Sequence, residues 1–589
     1  MRQETRQCVN CRTQFTIESD DFGFYERIKV PPPTWCPECR MQRRLVWRNE
    51  RSLYRRTCDA TGNNIVSIYP ADKNVKVYDQ KYWWSDAWDP LSFGREYDFS
   101  RTFFAQFKEL ISEVPLINVF NSNAVNSEYC NFTVNHKNCY LVAAGWDNED
   151  VNYSSRASFS KDSMDLFVCH KIELGYQNIS CKNSYRLFYS MYSENCSDSA
   201  FLYDCNNCQS CFGCTNLRNK SYCIFNKQYT KEEYKEKLKE LSLDSWAAVE
   251  EHKKTFQKLK AAAIHRYAHI LKSENVIGDN IEQAKNCYYC FDLAGDAENS
   301  KYSHWGTYGL KDSYDTGPGT GGKSELIYEA VSSGVQGMRL KFTVTAWYCT
   351  DSEYSFNCHS CRNIFGCVSL KNAEYCIFNK QYSKEEYEKL VPKIKAQMTE
   401  LPYIDKAGRT YPYGEFFPIE ISPFAYNETV AQDYVPITKE EALEKKYEWR
   451  DPEGKKIIPT KIASELPDRL SEVSDSILND VIGCAHGGKC NDMCTVAFKI
   501  IPQELQFYRR MGLPLPRLCP NCRYYERLRE RNPLKLWHRK CMCDYKVYKN
   551  TAKHAHHADG QCLNEFETSY APERKEIVYC EQCYQAEVV

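Results

Sequence analysis

Apolar and polar positions alternate on a short beat through the middle of this chain. Between residues 127 and 229, aromatic or β-branched pieces such as KNCYLVA, VNYSS, NSYRLFYS and DSAFLYD are separated by Asn, Asp, Ser and Cys turns at intervals of roughly ten residues. That beat predicts short strands, not the apolar stripe of an amphipathic helix. The stretch then returns. CFGCTNLRNKSYCIFNKQYTKEEY at 211–234 recurs as IFGCVSLKNAEYCIFNKQYSKEEY at 364–387, and this shift of 153 carries Cys196, Cys205, Cys208, Cys214 and Cys223 onto Cys349, Cys358, Cys361, Cys367 and Cys376. KNCY at 137–140 likewise recurs at 285–288. Short strands in a segment duplicated whole predict a mainly β fold, either a β-solenoid whose coils bury one another's faces or a β-sandwich. After each copy the pattern turns helical. Thr230 and Ser383 stand as N-caps with Glu233 and Glu386 three residues on, and the first helical segment is expected to reach about Ser273.

A second duplication occupies the ends. FGFYERIKVPPPTWCPECRMQRRLVWRNERSLYRRTC near the start recurs as LQFYRRMGLPLPRLCPNCRYYERLRERNPLKLWHRKC near the end under a constant shift of 483. It superposes Cys36 on Cys519, Cys39 on Cys522, Arg40 on Arg523, Asn49 on Asn532 and Cys58 on Cys541. The expected organisation is a zinc module at 1–84, a helical connector at 85–126, repeat copy one at 127–229, a helical insert at 230–283 and repeat copy two at 284–382. A helix and a Pro- and aromatic-rich connector follow at 383–482, with a short helix at TKEEALEKK, and a second zinc module fills 483–589.

Composition narrows the chemistry. The 589 residues carry 77 Lys and Arg against 78 Asp and Glu, so the net field favours neither nucleic acid nor an anionic membrane. MRQETRQC has no signal-peptide core, and no apolar run of about 18 residues suggests a membrane span. A cytoplasmic location follows as the expectation, with the 32 cysteines as thiols or metal thiolates rather than disulfides.

Cys8 and Cys11, with Cys36 and Cys39, make two CxxC pairs able to close a tetrahedral zinc site. The C-terminal counterpart is expected to use Cys490, Cys494, Cys519 and Cys522, with Cys484 in reserve. Beyond it Cys541, Cys543, Cys562, Cys580 and Cys583 supply a third cluster, with His554, His556 and His557 as alternates and the choice of four ligands open. Aligning VKVYDQKYW with EIVYCEQCY puts Asp79 on Cys580 and Tyr82 on Cys583, so the N-terminal copy lacks this cluster. About three structural zinc ions are expected, because four thiolates leave no open coordination position. The pattern CxxC, FY, CPxCR resembles the zinc-ribbon domains of an uncharacterised family of bacterial multi-domain proteins, and YCIFNKQYxKEEY extends the resemblance inward. It implies zinc-ribbon or treble-clef modules at both ends and brings no assigned activity.

Three further motifs bear on function. Cys205, Cys208, Cys211 and Cys214 imitate an iron–sulfur run, yet Cys211 becomes Ile364 in the duplicate, which suits buried thiols better; zinc is a further alternative. GPGTGGKS at 317–324 matches a phosphate loop, but no apolar strand precedes it, and the glycines fit a two-residue turn expansion, so nucleotide binding is not expected. Finally Arg40, Arg44, Arg48, Arg51 and Arg55 fall at helical spacing, and Arg523, Arg527 and Arg531 repeat part of the stripe. Such arginines suit RNA phosphates or, alternatively, the protein's own carboxylates. The expected function is a non-enzymatic binding scaffold for RNA, a ribonucleoprotein or a protein. The alternatives are a β-helix enzyme acting on polysaccharide through acids such as Asp147, Glu149, Asp150, Asp162 and Asp165, or an assembly protein.

Overall fold

A computed structural model describes residues 3–451, 457–548, 550–557 and 559–589. The chain divides into two units of discontinuous sequence. One comprises Met1–Val119, Ala268–Arg450 and Leu534–Leu536; the other comprises Phe120–Tyr267, Asp451–Pro533 and Trp537–Val589. The N-terminal module therefore shares a unit with the second repeat copy, and the C-terminal module with the first.

In the unit holding the first copy, strands from Glu149–Asn152 to Ser221–Ile224 pair in chain order and in parallel. Glu149 pairs with Lys161, His170 with Lys182, Tyr185 with Ser197, Ser197 with Gln209 and Gln209 with Ser221, always twelve residues apart. A finer rhythm lies inside each rung. From Phe132 to Phe225 every third residue has a positive φ, between 46° and 63°. That left-handed conformation costs a non-glycine residue roughly 1–2 kcal/mol, least for Asn and Asp, whose short side chains bond locally. Accordingly Asn135, Asn138, Asp147, Asp150, Asp162, Asp165, Asn195, Asp198, Asp204 and Asn207 occupy such corners. Several stack into side-chain ladders, Asn123 to Asn135 at 3.1 Å and Asn135 to Asp147 at 2.9 Å.

The residue after most corners faces inward and is small or apolar, with exceptions such as the buried His136 and the exposed Lys220. Cys169, Ile172, Cys181, Leu187, Cys196, Leu202, Cys205, Cys208, Cys211, Cys214 and Cys223 form one buried core. Backbone N–H groups pair from rung to rung, as buried amides require. Corner residues donate to the rung before, as Asp150 does to Lys137 O, and their predecessors donate to the rung after, as Glu149 does to Ser160 O. Where a serine stands one rung earlier it takes the inward N–H: Leu166 N donates to Ser154 Oγ, Cys196 N to Ser184 Oγ and Cys211 N to Ser199 Oγ.

The second copy repeats this plan with longer rungs. Glu298 pairs with Lys311, Leu310 with Ser324 and Glu325 with Met338, before the twelve-residue offset resumes at Met338 with Thr350 and Thr350 with Arg362. The fourteen-residue rung contains GPGTGG, so the glycines do expand a turn by two residues.

Helices follow both copies, at Lys231–Glu240 and Lys384–Glu400, with Thr230 and Ser383 closing capping boxes on Glu233 and Glu386. The helix in TKEEALEKK spans Lys439–Glu444, capped by Thr438. The insert is shorter than its pattern suggested. Its last helix stops at Ala262, Ile264–Arg266 pairs with Ile577–Tyr579, and Glu274–Glu298 is already strand. Tertiary pairing outweighs the helix-forming lysines and alanines there.

Candidate metal centres and the arginine clasps

One local motif is built four times: a short hairpin whose first strand ends in a cysteine, then a helix capped by a residue whose N–H points at that sulfur. Glu4–Gln7 leads into Cys8 and Gln14–Ile17 follows its turn, and Cys36, N-cap of Pro37–Leu45, donates its N–H to Cys8 Sγ at 3.3 Å. In the second, Ile482–Gly483 leads into Cys484, and Cys519, N-cap of Pro520–Arg529, donates to Cys484 Sγ at 3.3 Å. In the third, Trp537–Lys540 leads into Cys541, and Cys580, N-cap of Glu581–Val588, donates to Cys541 Sγ at 3.2 Å. In the fourth, Tyr54–Thr57 leads into Cys58, and Asp79, N-cap of Gln80–Trp84, donates to Cys58 Sγ at 3.2 Å.

Three of the four gather a full quartet of sulfurs within 4.8 Å of one another: Cys8, Cys11, Cys36 and Cys39; Cys484, Cys494, Cys519 and Cys522; and Cys541, Cys562, Cys580 and Cys583. The donor set fits a tetrahedral metal ion. All but Cys11 are buried, N–H groups stabilise the thiolates, and no position is left open. Asn10 Nδ2 donates to Cys39 Sγ at 3.3 Å and Asn564 Nδ2 to Cys580 Sγ at 3.3 Å, the outer-shell contacts that orient metal ligands. Hydrogen bonds from Cys36 and Cys39 hold Cys8 below the ordinary thiol value, while bonds from Cys36 and Cys8 push Cys39 up. A bound dication would displace the protons that remain, since its sulfur ligands bind as thiolates.

The second quartet brings the reserve ligand Cys484 together with Cys494, Cys519 and Cys522. Its N–H to sulfur bond makes Cys484 the equivalent of Cys8, and Cys490 sits in an inserted turn, 3.6 Å from Cys522 and partly exposed. The constant shift aligned Cys494 with Cys11 but hid the insertion before it. In the fourth motif only Cys58 survives. Burial raises its thiol, but hydrogen bonds from Thr61 and from the Asp79 N–H bring it below the ordinary value.

The arginine stripe is corrected more deeply. The helix Pro37–Leu45 ends before Arg48, Arg51 and Arg55, with Arg55 on the strand Tyr54–Thr57. Arg40, Arg44, Arg48, Arg523, Arg527 and Arg531 are all buried and cannot present a surface to phosphate. Arg40 Nη2 and Arg44 Nη1 clasp Asp315 at 2.8 and 2.9 Å, and Arg43 reaches Glu329 at 2.8 Å and Glu415 at 2.7 Å. In the other unit Arg523 Nε and Arg527 Nη1 clasp Asp165 at 3.0 and 2.9 Å. Arg48 meets Glu50 at 2.6 Å and Pro318 O at 3.1 Å. Arg531 stacks on Phe167, its guanidinium 5.4 Å from the ring centre. Arg51 is half-buried and Arg55 exposed.

The remaining motifs are also absorbed internally. Cys205 Sγ donates to Tyr203 O at 3.5 Å and Cys214 O at 3.6 Å, and Cys214 Sγ to Phe212 O at 3.2 Å and Cys223 O at 3.6 Å. The same two-carbonyl pattern recurs at Cys358 and Cys367 in the second copy. These thiols serve the interior of the rungs. The GPGTGGKS loop runs into the strand Ser324–Val331, not into a helix. At Gly319, with φ of 76°, a Cβ would stand 2.9 Å from Arg48 Nη1, so the glycine lets the arginine pack against the loop. The acidic residues have partners too: Glu149 pairs with Lys137 at 2.8 Å and Asp162 with Arg510 at 3.2 Å.

Among the described residues no helix is long and apolar enough to cross a membrane. The chain matches no protein-family model and no curated protein. The cysteine quartets at both ends remain compatible with zinc-ribbon-like modules.

Proposed function

We propose that the chain is a non-enzymatic cytoplasmic scaffold, in which zinc-stapled ribbons clasp two β-solenoid repeats and the finished body binds a protein partner. The observation that carries this reading is the duplicated clasp: in both units the ribbon helix turns its charged residues inward onto a carboxylate of the repeat. Closed thiolate quartets favour structural zinc, and thiolate sulfur suits that ion in a reducing compartment. A parallel ladder with a twelve-residue offset favours a solenoid over a sandwich, whose sheets are antiparallel. Protein is favoured over RNA because the stripe expected to touch phosphate is consumed internally, and the exposed corner ladders are Asn and Asp.

The test is metal analysis of the purified chain together with binding of single-stranded RNA across a salt series. Zinc at about three ions or more per chain with weak RNA binding is the expected result. Metal-free folded protein would overturn the zinc staple, and tight RNA binding that falls steeply with salt would overturn the choice of partner. Sugar release from polysaccharides would overturn the non-enzymatic reading.

A further inference from the structure

More ligands converge on Cys583 than one ion can use. Besides the quartet Cys541, Cys562, Cys580 and Cys583, a second group of Cys543, His554, His557 and Cys583 also lies within 4.8 Å. We propose that the C-terminal module binds two metal ions, with the Cys583 thiolate bridging them. The proposal rests on the reading that the quartets hold zinc.

The separations are those of a coordination sphere. Cys543 Sγ lies 3.5 Å from His554 Nδ1 and 3.5 Å from His557 Nε2; the two imidazole nitrogens are 3.1 Å apart, and His557 Nε2 is 3.4 Å from Cys583 Sγ. Ligands around a tetrahedral zinc with ordinary Zn–S and Zn–N bonds are separated by roughly 3.3–3.8 Å. Such a sphere needs imidazole nitrogens without protons, and the surroundings select that form at His554. Its Nε2 meets Glu587 Oε1 at 2.9 Å, which places the proton there and leaves Nδ1 as a lone pair aimed at the cluster. Glu587 is itself fixed, accepting from Thr551 N at 2.8 Å and Thr551 Oγ1 at 2.7 Å. Asn550 Nδ2 donates to Cys543 Sγ at 3.2 Å, as Asn10 does to Cys39 in the first quartet.

The second sphere has its own origin in the sequence. Cys8 and Cys11 are three residues apart, whereas their equivalents Cys541 and Cys562 are separated by a long loop, and that loop supplies Cys543, His554 and His557. The insertion adds ligands to an existing quartet. Burial of His554 and Cys543 inside it makes little sense for a surface loop unless an ion draws them in.

Metal counting by native mass spectrometry of the full holo-chain tests this. About four ions per chain are expected, falling to about three in the variant His554→Ala, His557→Ala. About three ions in both proteins would overturn the second sphere while leaving the zinc scaffold standing. A count of four that the variant leaves unchanged would also overturn it, by placing the extra ion elsewhere. Metal-free protein would remove the underlying zinc reading as well. Should the variant not fold, X-ray absorption on the wild-type chain decides: a metal–metal scattering feature supports the thiolate bridge, and its absence overturns it.

Discussion

Arg527 Nη1 stands 2.9 Å from Asp165 Oδ1 with both side chains withdrawn from water. The pairing is a copy: the shift that carries Arg44 onto Arg527 finds Arg44 Nη1 2.9 Å from Asp315 Oδ1. Asp165 and Asp315 both occupy left-handed corners of their rungs, so a strained backbone position presents the carboxylate and the helices Pro520–Arg529 and Pro37–Leu45 supply the cations. Breaking a buried pair from one side strands the other charge and typically costs about 3–5 kcal/mol. Arg523 also holds Asp165, so Asp165→Ala, which strands two buried guanidinium groups, is expected to lower stability by at least about that much, Arg527→Ala by less, and the double variant by less than the sum of the two. Urea unfolding of the single and double variants, analysed as a mutant cycle, measures the difference.

The second quartet makes a sharper claim about a pair of cysteines. Cys484 accepts the Cys519 N–H and is buried, whereas Cys490 sits in the inserted turn. Cys484→Ser is expected to lose one metal ion per chain and to destabilise its unit, while Cys490→Ser keeps the full count. Elemental analysis after dialysis against a weak chelator reads this directly. Loss of metal in the Cys490 variant with retention in the Cys484 variant would restore the ligand set suggested by spacing alone.

Much of this was legible in the sequence, and the failures share one cause. Duplications, caps and thiolate pairs are local or alignable patterns, so Thr230, Ser383 and the CxxC pairs could be read directly. The twelve-residue rung was visible only as a vague beat. Its real signal is a three-residue period, with Asn or Asp at corners and Cys, Ser or Leu one residue later, and CxxCxxCxxC was an instance of it that imitated a cluster motif. The arginine stripe misled because helical spacing says which residues share a face, not whether that face meets water. Two carboxylates distant in sequence, Asp165 and Asp315, settle that, and only the fold brings them in.

Those rung cysteines should behave as buried thiols. Burial pushes Cys214 up to about 12 and Cys205 well above the ordinary thiol value, and both donate to backbone carbonyls. In native protein at pH 8, iodoacetamide is expected to leave Cys205 and Cys214 unmodified, and to label them only after denaturation. Cys211→Ala should unfold within about 1–2 kcal/mol of wild type, the transfer and hydrogen-bond loss of one small side chain. Peptide mapping of the alkylated protein, with iron analysis alongside, distinguishes this from a cluster, whose thiolates would carry iron.

Acid sensitivity follows from His265. Burial lowers its pKa to about 4, more than the Lys260 carbonyl raises it, and the ring is fixed as a neutral tautomer. Nε2 donates to Lys260 O at 2.8 Å, and Nδ1 accepts from Tyr203 Oη at 2.7 Å. In the unfolded chain an imidazole titrates near 6.5, so between that value and about 4 the unfolded state binds the proton and the folded state does not. Stability from this residue is full above pH 6.5 and is lost as pH falls toward 4, on the order of 3 kcal/mol in total. His136 in the same unit is lowered to about 4, again by burial, and adds a similar slope. His265→Gln is expected to remove about half of the combined dependence while costing stability at pH 7 through its imperfect hydrogen bonds. Thermal or urea midpoints from pH 7 to 4.5 check it, and a variant as acid-sensitive as wild type would show that His265 does not fold as the neutral ring.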